Sequence, residues 1–342
     1  MPHITVTIPV FNRAHLVGRT IESVLAQDFQ DYDLLIVDDA SSDGTVEVIK
    51  QYTQRDPRII LVINEENLGL TRNWNKCLRM ARGPLVQLLL SDDLIDADYL
   101  SKVSGVFDAY PNVGMVAASC RYIDATDHII GEGKAIEEKL YKAGDNAVSY
   151  FLTQGYPHVS SIVFKRECYE KLGLFNEMIW HGPDVEMDTR LAQEYDFYHL
   201  GGVYTSFRRH GANMGALEYL REDFLEADCL KFRISWSRLS KGALHNLGIY
   251  NLESYLASNA AKSALTGIPI AIAYNRPDRG WYNWEKAFQF QKRTFLSLRF
   301  WKYFLMLLLP GFFSRLMQRR MNIDRMDCDR AEIITRSLEN IK

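Results

Sequence analysis

The chain has 342 residues, 47% hydrophobic and 24% charged, which is enough apolar mass for one large domain or two. A net charge of −3 argues against a nucleic-acid binder. Five scattered cysteines without CxxC or Cys/His spacing read as reduced thiols, which excludes a disulfide scaffold and a zinc site of ordinary spacing.

In chain order, residues 4–10 (ITVTIPV) are β-branched and apolar, and predict a strand that stops at FNR. A helix is expected from about His15 to Leu25, with Leu16, Ile21, Val24 and Leu25 on one side. DLLIVDD is a continuous apolar run of the kind buried in parallel sheets. ASSDGT supplies a turn with Ser and Asp as caps, and TVEVIKQYTQ is the helix that follows. RIILVIN is a third strand, GLTRNWNKCLRMARG a helix closed by Gly83, and PLVQLLLS a fourth strand. Such alternation implies βαβ units and right-handed crossovers.

Ligands of such sheets bind beyond the carboxyl ends of the strands. Here those ends carry Asn12 and Arg13, Asp38 and Asp39, Asn64, and the adjacent pair Asp92 and Asp93. After about Asn112 the alternation is lost, and shorter strands (VGMVAASCRYI, SSIVFKR) mix with loops. From about Gly215 the chain reads as mainly helical. The expected organisation is an α/β domain over residues 1–213, a mainly parallel Rossmann-like sheet flanked by helices, and a helical region over 214–342.

The motifs exclude several functions. No GxGxxG follows the first strand, and neither a GxxxxGK[ST] loop nor a GxSxG elbow occurs. The paired carboxylates of Asp92 and Asp93 repel, so solvent, a helix end or a cation has to compensate them. A divalent cation would make sense of acidic strand ends facing a nucleotide diphosphate, whereas helix capping before DADYL is the plainer explanation.

Five stretches together resemble one family. VTIPVFNR, VDDASSDGT, NLGLTRNWN, LLLSDD and the later pair GLFNE and GPDVEMDTRLA are similar, in order and spacing, to family 2 glycosyltransferases of the GT-A fold. The resemblance covers roughly residues 3–212. It implies an inverting enzyme that moves a sugar from a nucleotide-diphosphate sugar, a UDP-sugar first, to a saccharide or lipid-linked saccharide. Bacterial cell-surface polysaccharide or glycolipid synthesis is the setting it implies.

Residue by residue, it places Pro9, Val10 and Asn12 around the base, with Asp39 hydrogen-bonding it and Asp38 supporting the loop. Arg72 and Asn73 would lie near the nucleotide, and Asp92 at the ribose or a metal-bound water. Asp93 would coordinate Mn²⁺ or Mg²⁺, with His210 beside the metal. Asp184 would be the catalytic base, Glu186 would orient it, and His181 would approach the acceptor. Arg208 and Arg209 would either pair with phosphate or be solvated. Leu90 departs from the pattern, since many members carry an aspartate there. A non-catalytic nucleotide-sugar binder and a sugar-phosphate nucleotidyltransferase are the competing readings. Asp184 speaks against the first, and the absence of a basic, glycine-rich first turn against the second.

MPHITVTIPVFNR lacks a basic segment running into a long apolar one, so no signal peptide is expected. The longest apolar run, residues 303–313, is too short to span a bilayer, so the chemistry is expected in the cytoplasm. Between Lys286 and Asn322 there are eight basic residues and no acidic one, around FWKYFLMLLLPGFF. Basic flanks, interfacial aromatics and a short apolar run predict attachment of residues 299–320 to an anionic membrane surface.

Overall fold

The computed structural model describes residues 2–134, 136–209, 224, 227, 233–235, 237, 239–290 and 298–321. The chain divides into two compact units, Met1–Arg208 and Arg209–Lys342.

Unit one opens with β1 (Ile4–Val10), α1 (Val17–Leu25), β2 (Tyr32–Asp38), α2 (Thr45–Thr53), β3 (Ile59–Ile63), α3 (Leu70–Met80) and β4 (Leu85–Leu88). Every residue of β1, β2 and β4 is buried, as strands covered on both faces require. β1 pairs in parallel with β2 and β4, and β2 with β3. The core between this half-sheet and its helices is built from Val6, Ile8, Ile21, Val24, Leu34, Ile36 and Ile49.

β5 (Leu94–Ile95), α4 (Tyr99–Ala109), β6 (Val113–Ile123), β7 (Ile129–Glu132), β8 (Lys139–Tyr141) and α5 (Asp145–Gln154) follow. A short 3-10 turn at Val159–Ser161 then leads into β9 (Ile162–Lys165), α6 (Arg166–Leu172), α7 (Pro183–Glu194) and β10 (Asp196–Arg208). The sheet runs β3-β2-β1-β4-β9-β6-β10-β5, with β7 on β6 and β8 on β10. β9 is antiparallel to both β4 and β6, whereas β10 is parallel to β6. The start of β9 therefore lies at the carboxyl end of β4 and beside the middle of β6. That reversal brings residues 158–161 beside Asp92 and Asp93.

Gly83, expected to close the helix, lies three residues beyond its end and has another task. α3 stops at Met80, with Ala81 already extended, and a Cβ on Gly83 would lie 2.8 Å from the Thr5 amide nitrogen. The absent side chain lets the turn before β4 pass directly over the start of β1. Thr5 Oγ1 accepts hydrogen bonds there from the Gly83 and Arg82 amides.

Unit two contains α8 (Lys241–Asn246), α9 (Leu252–Ala273), α10 (Pro277–Phe290), α11 (Leu298–Leu308) and α12 (Pro310–Met321). Asn251 caps α9 by accepting a hydrogen bond from the Ser254 amide at 2.8 Å. The buried side of α9 carries Leu256, Ala260, Ala264, Leu265, Ile268 and Ile272. Small residues at its centre let neighbouring helices approach closely.

Gly83→Ala should cost about 1–3 kcal/mol of stability through overpacking against backbone. Chemical denaturation checks it, and an unchanged midpoint would remove the close-approach explanation.

Candidate active site

The carboxyl ends of β1, β2, β3 and β4 build one side of the site. Asn12 adopts a left-handed backbone, φ 51°, at the turn after β1. Its side-chain oxygen accepts from the Ser42 amide, and its own amide donates to Ser41 Oγ at 2.8 Å. Asn tolerates this conformation better than most residues. Pro9 and Val10 are buried in β1, and the Val10 carbonyl accepts from the Asp39 amide. The first two loops are thus one hydrogen-bonded structure.

Asp38 and Asp39 divide the work at the end of β2. Asp38 accepts from the Ser41 amide at 2.9 Å. Asp39 binds the next loop: Oδ1 accepts from Leu68 N and Asn64 Nδ2, and Oδ2 from Gly69 N. Burial pushes the Asp39 carboxyl up, and these hydrogen bonds work against that rise. Its first task is therefore to fasten β2 to the start of α3. Asn73 extends the strap, accepting from Asn64 and donating to the Val37 carbonyl. Arg72 points outward from the same turn of α3 and pairs with Glu177 at 3.2 Å.

The adjacent pair after β4 separates into two environments. The Asp93 side chain is fully buried, with Oδ2 accepting from Ser160 Oγ at 2.6 Å and Oδ1 from the Arg208 amide at 3.0 Å. Burial first, and Asp92 second, push its carboxyl well above the usual range. Asp92 keeps 12% of its side chain exposed and lies 3.7 Å from Arg13 Nε. Asp93, the expected metal ligand, is held by two donors of the chain, and Asp92 keeps more of its side chain exposed. The turn before the antiparallel β9 carries Ser160 onto Asp93.

Arg208, left open between phosphate binding and solvation, is fully buried. Nε donates to the Asp92 carbonyl, Nη1 to the Asp124 carbonyl, and Nη2 pairs with Asp127 at 2.5 Å. It locks the end of β10 onto the loop that carries the acidic pair. His210 lies outside the described residues.

Asp184 stands in the first turn of α7, behind Gly182 in a left-handed conformation and Pro183 at the first helical position. A carboxylate there is favoured by the helix dipole. Glu186 pairs with Arg190 at 3.1 Å, and Arg190 gathers the carbonyls of Leu172, Gly173 and Leu174. Glu186 thereby fixes the loop that enters α7. His181 lies against Trp180, with ring centroids 5.9 Å apart.

His158 joins the two halves of the site, and the sequence reading missed it. Its Nδ1 lies 3.4 Å from Asp93 Oδ2, and its ring packs 4.3 Å from that of Phe207. Burial holds the imidazole below its usual pKa, opposed by the nearby charges of Asp184 and Asp92. Asp93 lies against this imidazole, and the charges of Asp92 and Asp184, from two distant parts of the chain, both act on it. Nothing in GYPHVSSIVF marks that histidine until β9 is known to run antiparallel to β4.

Among the described residues no group of three His, Cys, Asp or Glu converges as a complete metal cage. The donor chemistry still suits a hard divalent cation of one kind. Such ions often take one or two carboxylates and complete their shell with substrate phosphate and water. Asp92 is placed for that role.

With this geometry in place, the comparisons define the class. Residues 5–173 match the family described as Glycosyl transferase family 2. The GalNAc(5)-diNAcBac-PP-undecaprenol beta-1,3-glucosyltransferase of Campylobacter jejuni is 30% identical over 221 residues, which are 63% of this chain and 69% of that protein. The chain belongs to glycosyl transferase family 2. Three further relatives are matched over 22%, 62% and 55% of their own length.

Two solved structures share the fold. Staphylococcus aureus TarS 1–349 in complex with UDP aligns at TM-score 0.53 and 16% identity, covering 85% of this chain and 89% of that one. The mannosyltransferase PcManGT of Pyrobaculum calidifontis, in complex with GDP-Man and Mn²⁺, aligns at 0.57 and 19%, covering 100% and 88%. Unit one has the fold of these glycosyltransferase structures, and the described part of the C-terminal region is helical.

One acid in α7 has no evident task. Asp188 is fully buried, and neither carboxyl oxygen has a hydrogen-bond partner among the described residues. Burial, then the charges of Asp184 and Glu186, push its carboxyl well above the usual range. A carboxyl raised on folding stabilises fully only below its unfolded pKa, near about 3.9, and that contribution is lost as pH rises. Asp188→Asn, which copies the protonated shape, should therefore raise Tm at pH 7. The gain should shrink as pH falls toward about 4. Scanning calorimetry across that range checks it, and a gain independent of pH would contradict a buried, protonated Asp188.

Proposed function

We propose that the enzyme transfers a sugar from a nucleoside-diphosphate sugar to a hydroxyl acceptor by direct displacement, with inversion at the anomeric carbon. The observation that supports this reading is that His158, 3.4 Å from Asp93, feels the charges of both Asp92, after β4, and Asp184, in the first turn of α7.

The loops after β1 and β2 form the base-binding side, with Pro9, Val10 and Asn12 as its wall. Asp39 retains an acceptor lone pair on Oδ2 for a base N–H. Arg72 is placed to reach the nucleotide by exchanging Glu177 for phosphate. Asp92 would hold a divalent cation, Mn²⁺ or Mg²⁺, while Asp93, Ser160 and Arg208 keep its loop in place. When bound, the cation neutralises negative charge on the departing diphosphate. Arg13, beside Asp92, adds a positive charge from the protein. Asp184 takes the proton of the acceptor hydroxyl as the new bond forms, and the neutral imidazole of His158 keeps a second positive charge away from that carboxylate.

Relatives and structural neighbours support the choice of substrates. TarS is known in complex with UDP and with UDP-GlcNAc, PcManGT with GDP-Man, and the Campylobacter jejuni relative is named for an undecaprenol-linked saccharide. We take a UDP-sugar as the first donor to test and a saccharide, free or lipid-linked, as the acceptor. A lipid-linked acceptor would bring the reaction to the cytoplasmic face of a membrane.

Two variants separate the acidic pair. Asp92→Asn should lose the Mn²⁺-dependent part of UDP binding while keeping the wild-type Tm. Asp93→Asn should lower Tm, because it disturbs a buried, hydrogen-bonded carboxyl. Titration calorimetry and thermal melts read both, and the reverse pattern would return the metal to Asp93.

Asp184→Asn should leave donor affinity nearly intact and lower turnover by about 10²-fold or more, the usual contribution of a positioned general base. Release of nucleoside diphosphate measures it. Normal turnover, or loss of donor binding, would remove Asp184 from the role.

A further inference from the structure

α11 is largely apolar, with Arg299 and Lys302 its charged residues. Its inner side is enclosed. Phe300, Met306 and Leu307 are buried, and the Phe300 ring stacks on Trp284 at 4.6 Å. Leu307 sits so close to Gly280 of α10 that a Cβ there would meet it at 2.5 Å. The outer side is not enclosed. Trp301, Leu305, Leu308, Leu309 and Leu316 are all exposed, between 40% and 61%. Trp301, Leu305 and Leu308 follow the i, i+4, i+7 spacing of one helix face, and Leu316 lies seven residues beyond Leu309 in α12.

Exposed leucines gathered on one face call for a partner. Charge decides which. Lys302 and Arg315 are exposed on the same two helices, and no acidic residue occurs between Lys286 and Asn322. A symmetric dimer through this face would bring the same basic set together from both copies, because a two-fold interface pairs a patch with itself. No described helix is long and apolar enough to cross a membrane. A short helix with Trp and Leu outward and Lys and Arg alongside fits the plane of a bilayer interface.

We propose that the outer face of α11 and α12 docks on an anionic lipid surface, with Trp301, Leu305, Leu308, Leu309 and Leu316 entering the interface. Lys302 and Arg315 contact the head groups. This proposal is independent of the donor-site reading: a soluble acceptor could still be glycosylated if it failed, and docking could survive failure of that reading.

The test is co-sedimentation of the full chain with phosphatidylcholine vesicles, with and without phosphatidylglycerol, at low and high salt. The intact chain should pellet with the anionic vesicles, and less so at high salt. Leu305→Asp/Leu308→Asp should remain in the supernatant with an unchanged circular dichroism spectrum. If that variant does not fold, the milder Lys302→Gln and Arg315→Gln carry the test. Each should weaken partitioning roughly fivefold, from about 1 kcal/mol per basic residue near the surface. An intact chain that stays in the supernatant with anionic vesicles would overturn the proposal. So would Gln variants that partition like wild type. Sedimentation velocity showing a dimer that the Leu→Asp pair dissociates, with no vesicle binding, would assign the face to a second copy instead.

Discussion

The site depends on one buried carboxylate. Asp93 receives the Ser160 hydroxyl at 2.6 Å and the Arg208 amide at 3.0 Å, so it ties the loop after β4 to the entry of β9 and the end of β10. An acid removed from water is costly unless its oxygens are matched, and here both oxygens are matched by the chain. Arg208 completes the arrangement by donating to the carbonyl of Asp92. The position of Asp92 is thus fixed through its backbone carbonyl and its neighbour, while its own carboxylate lies 3.7 Å from Arg13. Two like charges in succession are tolerated because each meets its own donors or cation.

The same logic recurs at Asp39 and Glu186. Each is a buried acid that organises a loop: Asp39 receives two amides and the Asn64 side chain, and Glu186 secures Arg190, which gathers three carbonyls. Acidic residues at the edge of this sheet therefore serve two purposes, and sequence position alone does not separate them. What separates them is whether a neighbouring segment brings matching donors.

Much of unit one was legible in the sequence because its first half is made of local units. Four apolar runs separated by amphipathic helices specify a parallel half-sheet, and the strands found at 4–10, 32–38, 59–63 and 85–88 follow those runs. Beyond residue 112 the pairing is non-local, and legibility falls. β6 covers the eleven residues of the expected VGMVAASCRYI strand, but its partners β7, β9 and β10 are not legible in it. The antiparallel course of β9 decides that His158 and Ser160 join the site, and neither residue carries a signal of its own in the chain. Asp92 and Asp184 were legible as motif positions, whereas the division between an anchoring and an outward carboxylate required the structure. Arg208, open in the sequence between phosphate pairing and solvation, is a buried clamp where the end of β10 meets the loop of the acidic pair.

The central claim is that Asp92, and not Asp93, presents oxygen to the donor's cation. A crystal of the full chain grown with UDP and Mn²⁺, with data collected at the manganese absorption edge, tests it most directly. The account predicts one anomalous peak within bonding distance of the Asp92 carboxylate, with Asp93 still held by Ser160 and the Arg208 amide. A peak bonded to Asp93, with Ser160 displaced, would contradict it.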